Sequence, residues 1–150
     1  SPFDGFLIDG VTEAAASIFG LEGDDLTTQA EQMSTQGMQE FNEVVPDIEG
    51  IYYSSWAGRT CPITDILCQL SNSGERVSSL FVITHAFLNL AAGPNDGLVT
   101  VESAQWGEFM GEIPADHIDE VGVQLDIYSS PFEHESFYLG EAARLFELGL

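Results

Sequence analysis

Lysine is absent from this sequence, and arginine occurs only three times, at Arg59, Arg76 and Arg144. Against these cations stand 25 Asp and Glu residues, so the formal net charge is −22 at pH 7. Such a field repels polyanions, and nucleic acids and anionic membranes are therefore excluded as preferred partners. The acidic residues are dispersed rather than gathered into a block. This favours a solvated acidic surface, as in proteins from salty water, over a polyanionic binding segment.

Long apolar runs are also lacking. The longest one, residues 79–92, is interrupted by Thr84, His85 and Asn89 and is too short to span a bilayer, so stable membrane insertion is not expected. Hydrophobic residues nevertheless make up 44% of the 150 residues and aromatic residues 11%. The chain is therefore expected to be globular, with a core of its own, rather than disordered.

Cysteine is scarce, with Cys61 and Cys68 as the two examples. They can close a small loop as a disulfide, which would favour an extracytoplasmic location. Two reduced core cysteines are the other interpretation. A structural zinc site is not indicated, because no second cysteine pair or nearby histidine completes a ligand set.

The periodicity of apolar residues and the capping signals predict a mixture of helices and strands. The segment 76–90 is ambiguous, because its Phe-Val-Ile-Thr core would suit a strand, and helix is favoured. Leu98 and Val99 are expected to be buried, and Trp106 is expected to pack against the core. The predicted helices are 13–19, 26–33, 36–45, 76–90, 102–109 and 134–148, with a helical turn at 63–67, and the predicted strands are 49–57 and 113–115.

The segment 93–121 carries the strongest chemical signal. Asp96 lies in an Asn-Asp-Gly turn, and His117 lies in the later stretch Ala-Asp-His-Ile-Asp-Glu. An Asp fixed on a turn and a His on a later loop suit the orienting acid and the base of a nucleophilic triad. The order Asp then His is that of α/β-hydrolases. Asn-Asp-Gly is also an ordinary turn sequence, so a purely structural role remains an alternative.

The runs GPNDGLVTVESAQWGEF and PADHIDEV resemble the C-terminal half of bacterial triacylglycerol lipases of the Pseudomonas–Burkholderia type, and MSTQGMQEFNEVVP resembles the segment that follows their lid. The resemblance implies an α/β fold, namely the C-terminal part of an α/β-hydrolase fold. Residues 1–150 would form the C-terminal half of one domain. Lid and cap helices would occupy about 3–45, and the last sheet strands, the Asp and His loops and the terminal helix would occupy 46–150.

The same resemblance implies a secreted carboxylic ester hydrolase that cleaves fatty-acid esters such as triacylglycerols, with Asp96 and His117 as catalytic residues. The motif G-x-S-x-G, which would hold the nucleophile, is missing from residues 1–150. The serine is therefore expected on a missing N-terminal half, and this chain by itself is expected to be inactive. The expected partners are that half, the lipid ester substrate and, transiently, a lipid interface.

The resemblance further implies a structural Ca²⁺ ion, because in calcium-containing relatives the Asp two residues after the catalytic His binds the ion. That position is Asp119, and oxygen ligands suit Ca²⁺. The other ligands of the family would correspond to Gln124, one place late, and to Asp65 as the nearest carboxylate. Surface exposure or loop capping is the alternative role for Asp119 and for the neighbouring Glu120.

The remaining histidines, His85 and His134, are interpreted as structural. A different class of function also stays open, in which the chain is a catalytically silent acidic fragment that binds a partner or assembles with copies of itself.

Overall fold

The computed structural model describes residues 35–123 and 130–150 of the chain. The chain divides into two compact units, residues 1–52 and residues 53–150, which are described separately. The helices expected over 13–19 and 26–33 lie outside the described residues, as does most of the expected lid.

The first unit contributes helix α1, Thr35–Val44. The helix expected over 36–45 is therefore confirmed to within one residue at each end. Val45 N–H still donates to Phe41 O at 2.9 Å, and Pro46 follows. Proline has no N–H to donate and disfavours helical conformation in the residue before it, so the helix ends there.

The second unit is built on a two-stranded parallel sheet, formed by β1, Ser54–Gly58, and β2, Glu108–Ile113. Ser54 pairs with Glu108 and Gly58 with Ile113, and the register shifts between Ser55 and Trp56. Parallel strands need a long crossover connection, and here residues 59–107 supply it with helices. The second unit thus combines helices with parallel strands, and the expected mixed α/β class is confirmed at that level.

The crossover contains helix α2, Ile66–Ser71, a 3-10 helix, Ser79–Phe81, and helix α3, Val82–Ala91. Asp65 caps α2 by accepting the Cys68 N–H at 3.0 Å. The helix expected over 76–90 is correct from residue 79 onward. Its first residues are extended instead, because Val77 N–H donates to Cys61 O and Ser78 N–H donates to Asp116 Oδ2.

The helix expected over 102–109 is wrong, because its last two residues begin β2. Gly107 has a φ of +61°, and a Cβ at that position would overlap the backbone of Tyr53. The chain therefore passes close under the start of β1 and cannot continue as a helix. Trp106 was expected in the core and is instead 41% exposed.

Both strands differ in extent from the expected ones. β1 begins at Ser54, not at residue 49, because its ladder with β2 begins there. Of the strand expected over 113–115, only Ile113 belongs to β2, because Ala115 N–H turns back to Ile113 O at 2.9 Å.

Helix α4, His134–Glu147, confirms the terminal helix expected over 134–148. It packs on the sheet through Phe137, whose ring meets Trp56 edge to face with centroids 5.3 Å apart. At the other end of the contact, the Arg144 guanidinium donates to Ser54 Oγ at 3.2 Å.

A disulfide joins Cys61 to Cys68, with the Cα atoms 5.8 Å apart, so the open choice between disulfide and free thiols is decided in favour of the disulfide. Cys61 belongs to the small core of the second unit, whose buried apolar side chains are Ala57, Cys61, Val77, Phe81, Val101, Ile113 and Ala115. Within residues 35–123 and 130–150, no helix has the length and apolar character needed to cross a membrane.

Candidate functional site

The turn that carries Asp96 is fixed by its two neighbours. Asn95 is fully buried, and its side-chain Oδ1 accepts the Gly97 N–H at 2.9 Å. Gly97 has a φ of +106°, and a Cβ there would lie 2.7 Å from the Cβ of Phe81. A side chain at position 97 would therefore suffer both backbone strain and a collision, which explains the glycine.

Asp96 is 3% exposed, and its two carboxylate oxygens have different partners. Oδ1 accepts the backbone N–H groups of Leu98 and Val99, at 2.8 and 2.6 Å. Oδ2 lies 2.8 Å from His117 Nδ1. The backbone donors hold the carboxylate in one orientation, with Oδ2 directed at the imidazole. Leu98 and Val99 are half-buried, not buried as expected.

His117 is held to Asp96 twice, since its own backbone N–H also donates to Asp96 O at 2.9 Å. The carboxylate accepts a proton on Nδ1, so Nε2 is the basic atom of the neutral imidazole. The hydrogen bond to Asp96 raises the pKa of His117, while burial opposes that rise. The side chain is 37% exposed, so the ring stays open to a reactant although its partner is buried.

The Asp96–His117 pair lies beside the carboxyl ends of the two parallel strands. A Cβ on Gly58, the last residue of β1, would lie 3.0 Å from the Cβ of Asp96 and from the carbonyl oxygen of Ala115. Thr60 N–H, just beyond β1, donates to Asn95 O at 3.0 Å. Ligands of open parallel sheets bind at this edge, so the pair occupies the position expected of a functional site.

Asp116 holds the loop that carries His117, a role that the sequence interpretation missed. It is fully buried; its Oδ1 accepts the N–H groups of Ile118 and Asp119, and its Oδ2 accepts that of Ser78. The local signal was available, because an Asp shortly before a helical turn is a typical cap. The bond to Ser78 had no local signal.

For Glu120 the sequence suggested a surface acid or a loop cap, and the structure does not show full surface exposure. It is half-buried, and it offers a ligating atom within 4.8 Å of those of Asp96 and His117. Burial, reinforced by the Asp96 charge, raises the pKa of Glu120 to about 7, while His117 works against that rise. The sequence carried no sufficient signal, because the 3-10 helix begins only at Asp119 and does not include His117.

Two of the three residues expected to bind calcium lie within the described part of the chain. Asp65 caps helix α2, Gln124 lies outside the described residues, and Asp119 begins a 3-10 helix, Asp119–Val121. Among the described residues, the group close enough to share an ion is Asp96, His117 and Glu120. Calcium binding therefore stays a prediction.

Glu75 is a second buried carboxyl that the sequence did not reveal. It is 1% exposed; Thr60 Oγ1 donates to its Oε1 at 3.3 Å and Ser130 Oγ to its Oε2 at 3.0 Å. Burial raises the pKa of Glu75 to about 7, and the charges of Asp119 and Asp116 act in the same direction. Its partners come from distant parts of the chain, which is why no local pattern indicated it.

The two other histidines have structural surroundings, as expected. His85 is 2% exposed, its Nε2 lies 3.3 Å from Thr60 O, and burial lowers its pKa. The His134 ring lies against Gly122, where any Cβ would collide with it.

His117 is thus oriented by a buried carboxylate, and such a pair can act as a base toward a hydroxyl group. No family model matches the chain, and a search of curated proteins finds no match either.

Proposed function

We propose that this chain carries the acid and the base of a Ser-His-Asp triad in a carboxylic ester hydrolase that cleaves fatty-acid esters such as triacylglycerols. The observation that carries the proposal is the 2.8 Å contact between Asp96 Oδ2 and His117 Nδ1, with Oδ1 occupied by two backbone donors. An ordinary Asn-Asp-Gly turn does not require a histidine against the Asp carboxylate. The sequence resemblance to bacterial lipases supplies the substrate class.

In the proposed reaction, His117 Nε2 takes the proton of the serine hydroxyl as the oxygen attacks the ester carbonyl carbon. Asp96 stabilises the resulting imidazolium through Nδ1. The tetrahedral intermediate collapses, the C–O bond breaks, and His117 returns the proton to the departing alcohol. Water then repeats the sequence on the acyl-enzyme and releases the fatty acid.

The serine belongs, in this proposal, to an N-terminal half of an α/β-hydrolase fold that is not included in residues 1–150. The absence of G-x-S-x-G from the sequence supports this division. The sheet supports it as well, because parallel sheets are normally covered on both faces and contain more strands than β1 and β2. The exposed apolar side chains of α2 and α3, such as Leu67, Ile83 and Leu90, are consistent with a covering partner.

We place the complete protein outside the cytoplasm, at a lipid interface that carries little charge. The Cys61–Cys68 disulfide is typical of oxidising compartments. The net charge of −22 would oppose binding to an anionic membrane but not to a droplet of neutral ester.

The test compares the purified chain with the same chain after addition of a polypeptide that carries the G-x-S-x-G segment. Hydrolysis of a short-chain nitrophenyl ester is expected only in the combined sample, and His117→Gln is expected to abolish it. A serine-directed phosphonate probe identifies the nucleophile. Labelling of a serine within residues 1–150, with turnover proportional to that label, would show that the proposed division is wrong.

The alternative function, a silent acidic chain that assembles with itself, is favoured by one observation. Apolar side chains of α4 are strongly exposed, among them Leu139 at 72% and Phe146 at 81%. Mass spectrometry of the native sample separates the two: a homo-oligomer supports the alternative, and a complex with a second polypeptide bearing G-x-S-x-G supports the hydrolase.

A further inference from the structure

Three side chains near the carboxyl end of β1 bring one nitrogen donor and two oxygen donors to one place. Asp96, His117 and Glu120 each offer a ligating atom, and these atoms all lie within 4.8 Å of one another. Asp96 is buried, and His117 and Glu120 are half-buried. The group therefore differs in burial and in composition from the exposed acids on the surface of this chain.

Glycine at position 58 provides the space in which the Glu120 carboxyl lies. A Cβ on Gly58 would overlap Oε1 of Glu120, and it would lie 3.0 Å from the Cβ of Asp96. Gly58 does not have a positive φ, so backbone conformation does not account for the glycine. The missing side chain thus leaves room beside both carboxyl groups, as an ion held by both of them requires.

The donor set suits zinc better than calcium. Ca²⁺ takes about six to eight ligands, all of them oxygen atoms. Imidazole nitrogen is a preferred ligand of Zn²⁺, and three protein ligands with water in the fourth position are typical of open zinc sites. The His117 side chain is 37% exposed, so an ion can reach the ring from solution.

The distance between the first two ligand atoms is close to the distance that zinc needs. Asp96 Oδ2 and His117 Nδ1 are 2.8 Å apart with a proton between them. Two ligand atoms of a tetrahedral Zn²⁺ ion, each about 2.0–2.1 Å from the metal, are roughly 3.3 Å apart. The pair therefore has to open by only about 0.5 Å for the ion to take the place of the proton.

We propose that Asp96, His117 and Glu120 form a binding site for Zn²⁺, in which the ion is held by His117 Nδ1 and by one oxygen of each carboxylate. The Nδ1 proton leaves to water and Nε2 takes one up, so the imidazole stays neutral. The site does not include Asp119, where calcium is predicted.

One consequence rests on the proposed hydrolase function. A proton on Nε2 occupies the atom that would accept the serine proton, so bound Zn²⁺ would inhibit ester hydrolysis. Binding of the ion itself does not depend on that function.

The experiment is a titration of the full 150-residue chain with Zn²⁺, followed by ¹⁵N NMR of the histidine rings. Ca²⁺ is present in excess, because a chain of net charge −22 attracts any cation. His117→Gln assigns the His117 signals. Glu120→Gln removes one ligand and keeps the shape, and Glu102→Gln removes an exposed carboxyl as the matched charge control.

One equivalent of Zn²⁺ should give His117 a metal-bound Nδ1 and a protonated Nε2, the reverse of the metal-free ring. Glu120→Gln should weaken binding by more than about 10-fold, since even outer partners of metal ligands contribute that much. Glu102→Gln should bind as the wild type does. Metal on Nε2, equal affinity of Glu120→Gln and wild type, or adventitious binding only, without change at His117, would each overturn the proposal.

The titration requires no ester turnover, so it separates this inference from the proposed function. Absence of esterase activity in the combined sample would count against the hydrolase alone. Absence of Zn²⁺ from His117 Nδ1 would count against the metal site alone. Should Glu120→Gln fail to fold by far-UV circular dichroism, the nitrogen assignment in the wild-type protein decides, because it requires no variant at Glu120.

Discussion

Asp96 presents one carboxylate oxygen to the backbone and the other to His117. Oδ1 accepts from Leu98 and Val99, and Oδ2 meets His117 Nδ1 at 2.8 Å, while the His117 backbone N–H returns to the Asp96 carbonyl at 2.9 Å. The side chain and the backbone of Asp96 therefore both hold the histidine. Because of this double attachment, the orientation of the His117 imidazole depends on Asp96.

Replacement Asp96→Asn should lower the kcat of the combined sample by several orders of magnitude, about 10⁴-fold in the serine-protease precedent. The amide keeps the shape but favours the wrong imidazole tautomer. Ester hydrolysis under substrate saturation measures the loss. The carboxyl near enough to substitute is Glu120, whereas Glu102 is exposed on a turn. The double variant Asp96→Asn/Glu120→Gln is therefore the stringent control, and near-normal turnover in it would exclude the triad.

The buried Glu75 should make the chain less stable as the pH rises. Its pKa is about 7 in the folded protein against 4.5 for an ordinary Glu, so the folded state holds the proton more tightly. The stabilisation is complete below pH 4.5 and is lost as the pH rises through 7. This difference between the folded and the ordinary pKa of Glu75 corresponds to about 3 kcal/mol in the free energy of unfolding.

Urea unfolding of wild type and Glu75→Gln at a series of pH values tests this dependence. Other carboxyls also repel one another more at high pH, so the difference between the two proteins is the informative quantity. Glu102→Gln removes an exposed carboxyl and provides the matched charge control. Parallel pH profiles for wild type and Glu75→Gln would contradict the assignment.

Calcium binding at Asp119 would appear as chelator-sensitive stability. An ion at 100-fold excess over its Kd adds about 2.7 kcal/mol, so thermal unfolding at low salt should shift downward when a chelator is added. Asp119→Ala should abolish the shift. Asp65→Ala should lower stability by about 1 kcal/mol through loss of the α2 cap, and loss of the chelator effect in this variant as well would identify Asp65 as a ligand.

A melting temperature of the wild-type protein that is indifferent to chelator would rule out the calcium site. The measurement belongs at low ionic strength with Mg²⁺ and Na⁺ controls. A chain of net charge −22 responds to added cations through screening alone.

Reduction of the Cys61–Cys68 disulfide should lower the free energy of unfolding by about 2 kcal/mol, because the loop that it closes is short. Urea unfolding with and without reductant measures the effect. The double variant Cys61→Ser/Cys68→Ser should be insensitive to reductant and resemble the reduced wild type. If reductant also lowers the stability of the double variant, the effect does not arise from the Cys61–Cys68 disulfide.

Features that depend on neighbours in sequence could be predicted without the structure. Helices α1 and α4 end within one residue of expectation, because Pro46 and Gly149 are local stop signals. The Asp96 turn is of the same kind, since Asn95 and Gly97 set its shape through bonds two residues apart. The pairing of Asp96 with His117 was an interpretation from motif order. In the structure, Asp96 Oδ2 and His117 Nδ1 lie 2.8 Å apart.

Features that depend on distant pairing were decided only by the tertiary structure. Residues 108–113 form a strand because they pair with β1. The apolar pattern of residues 102–109, which predicted a helix, does not indicate that pairing. Glu120 and Glu75 are ordinary acids in the sequence. In the structure Glu75 is buried between Thr60 and Ser130, and Glu120 is half-buried against Gly58 and Asp96. Burial raises the pKa of both carboxyls. Desolvation is a property of the assembled surroundings, so no single segment encodes it.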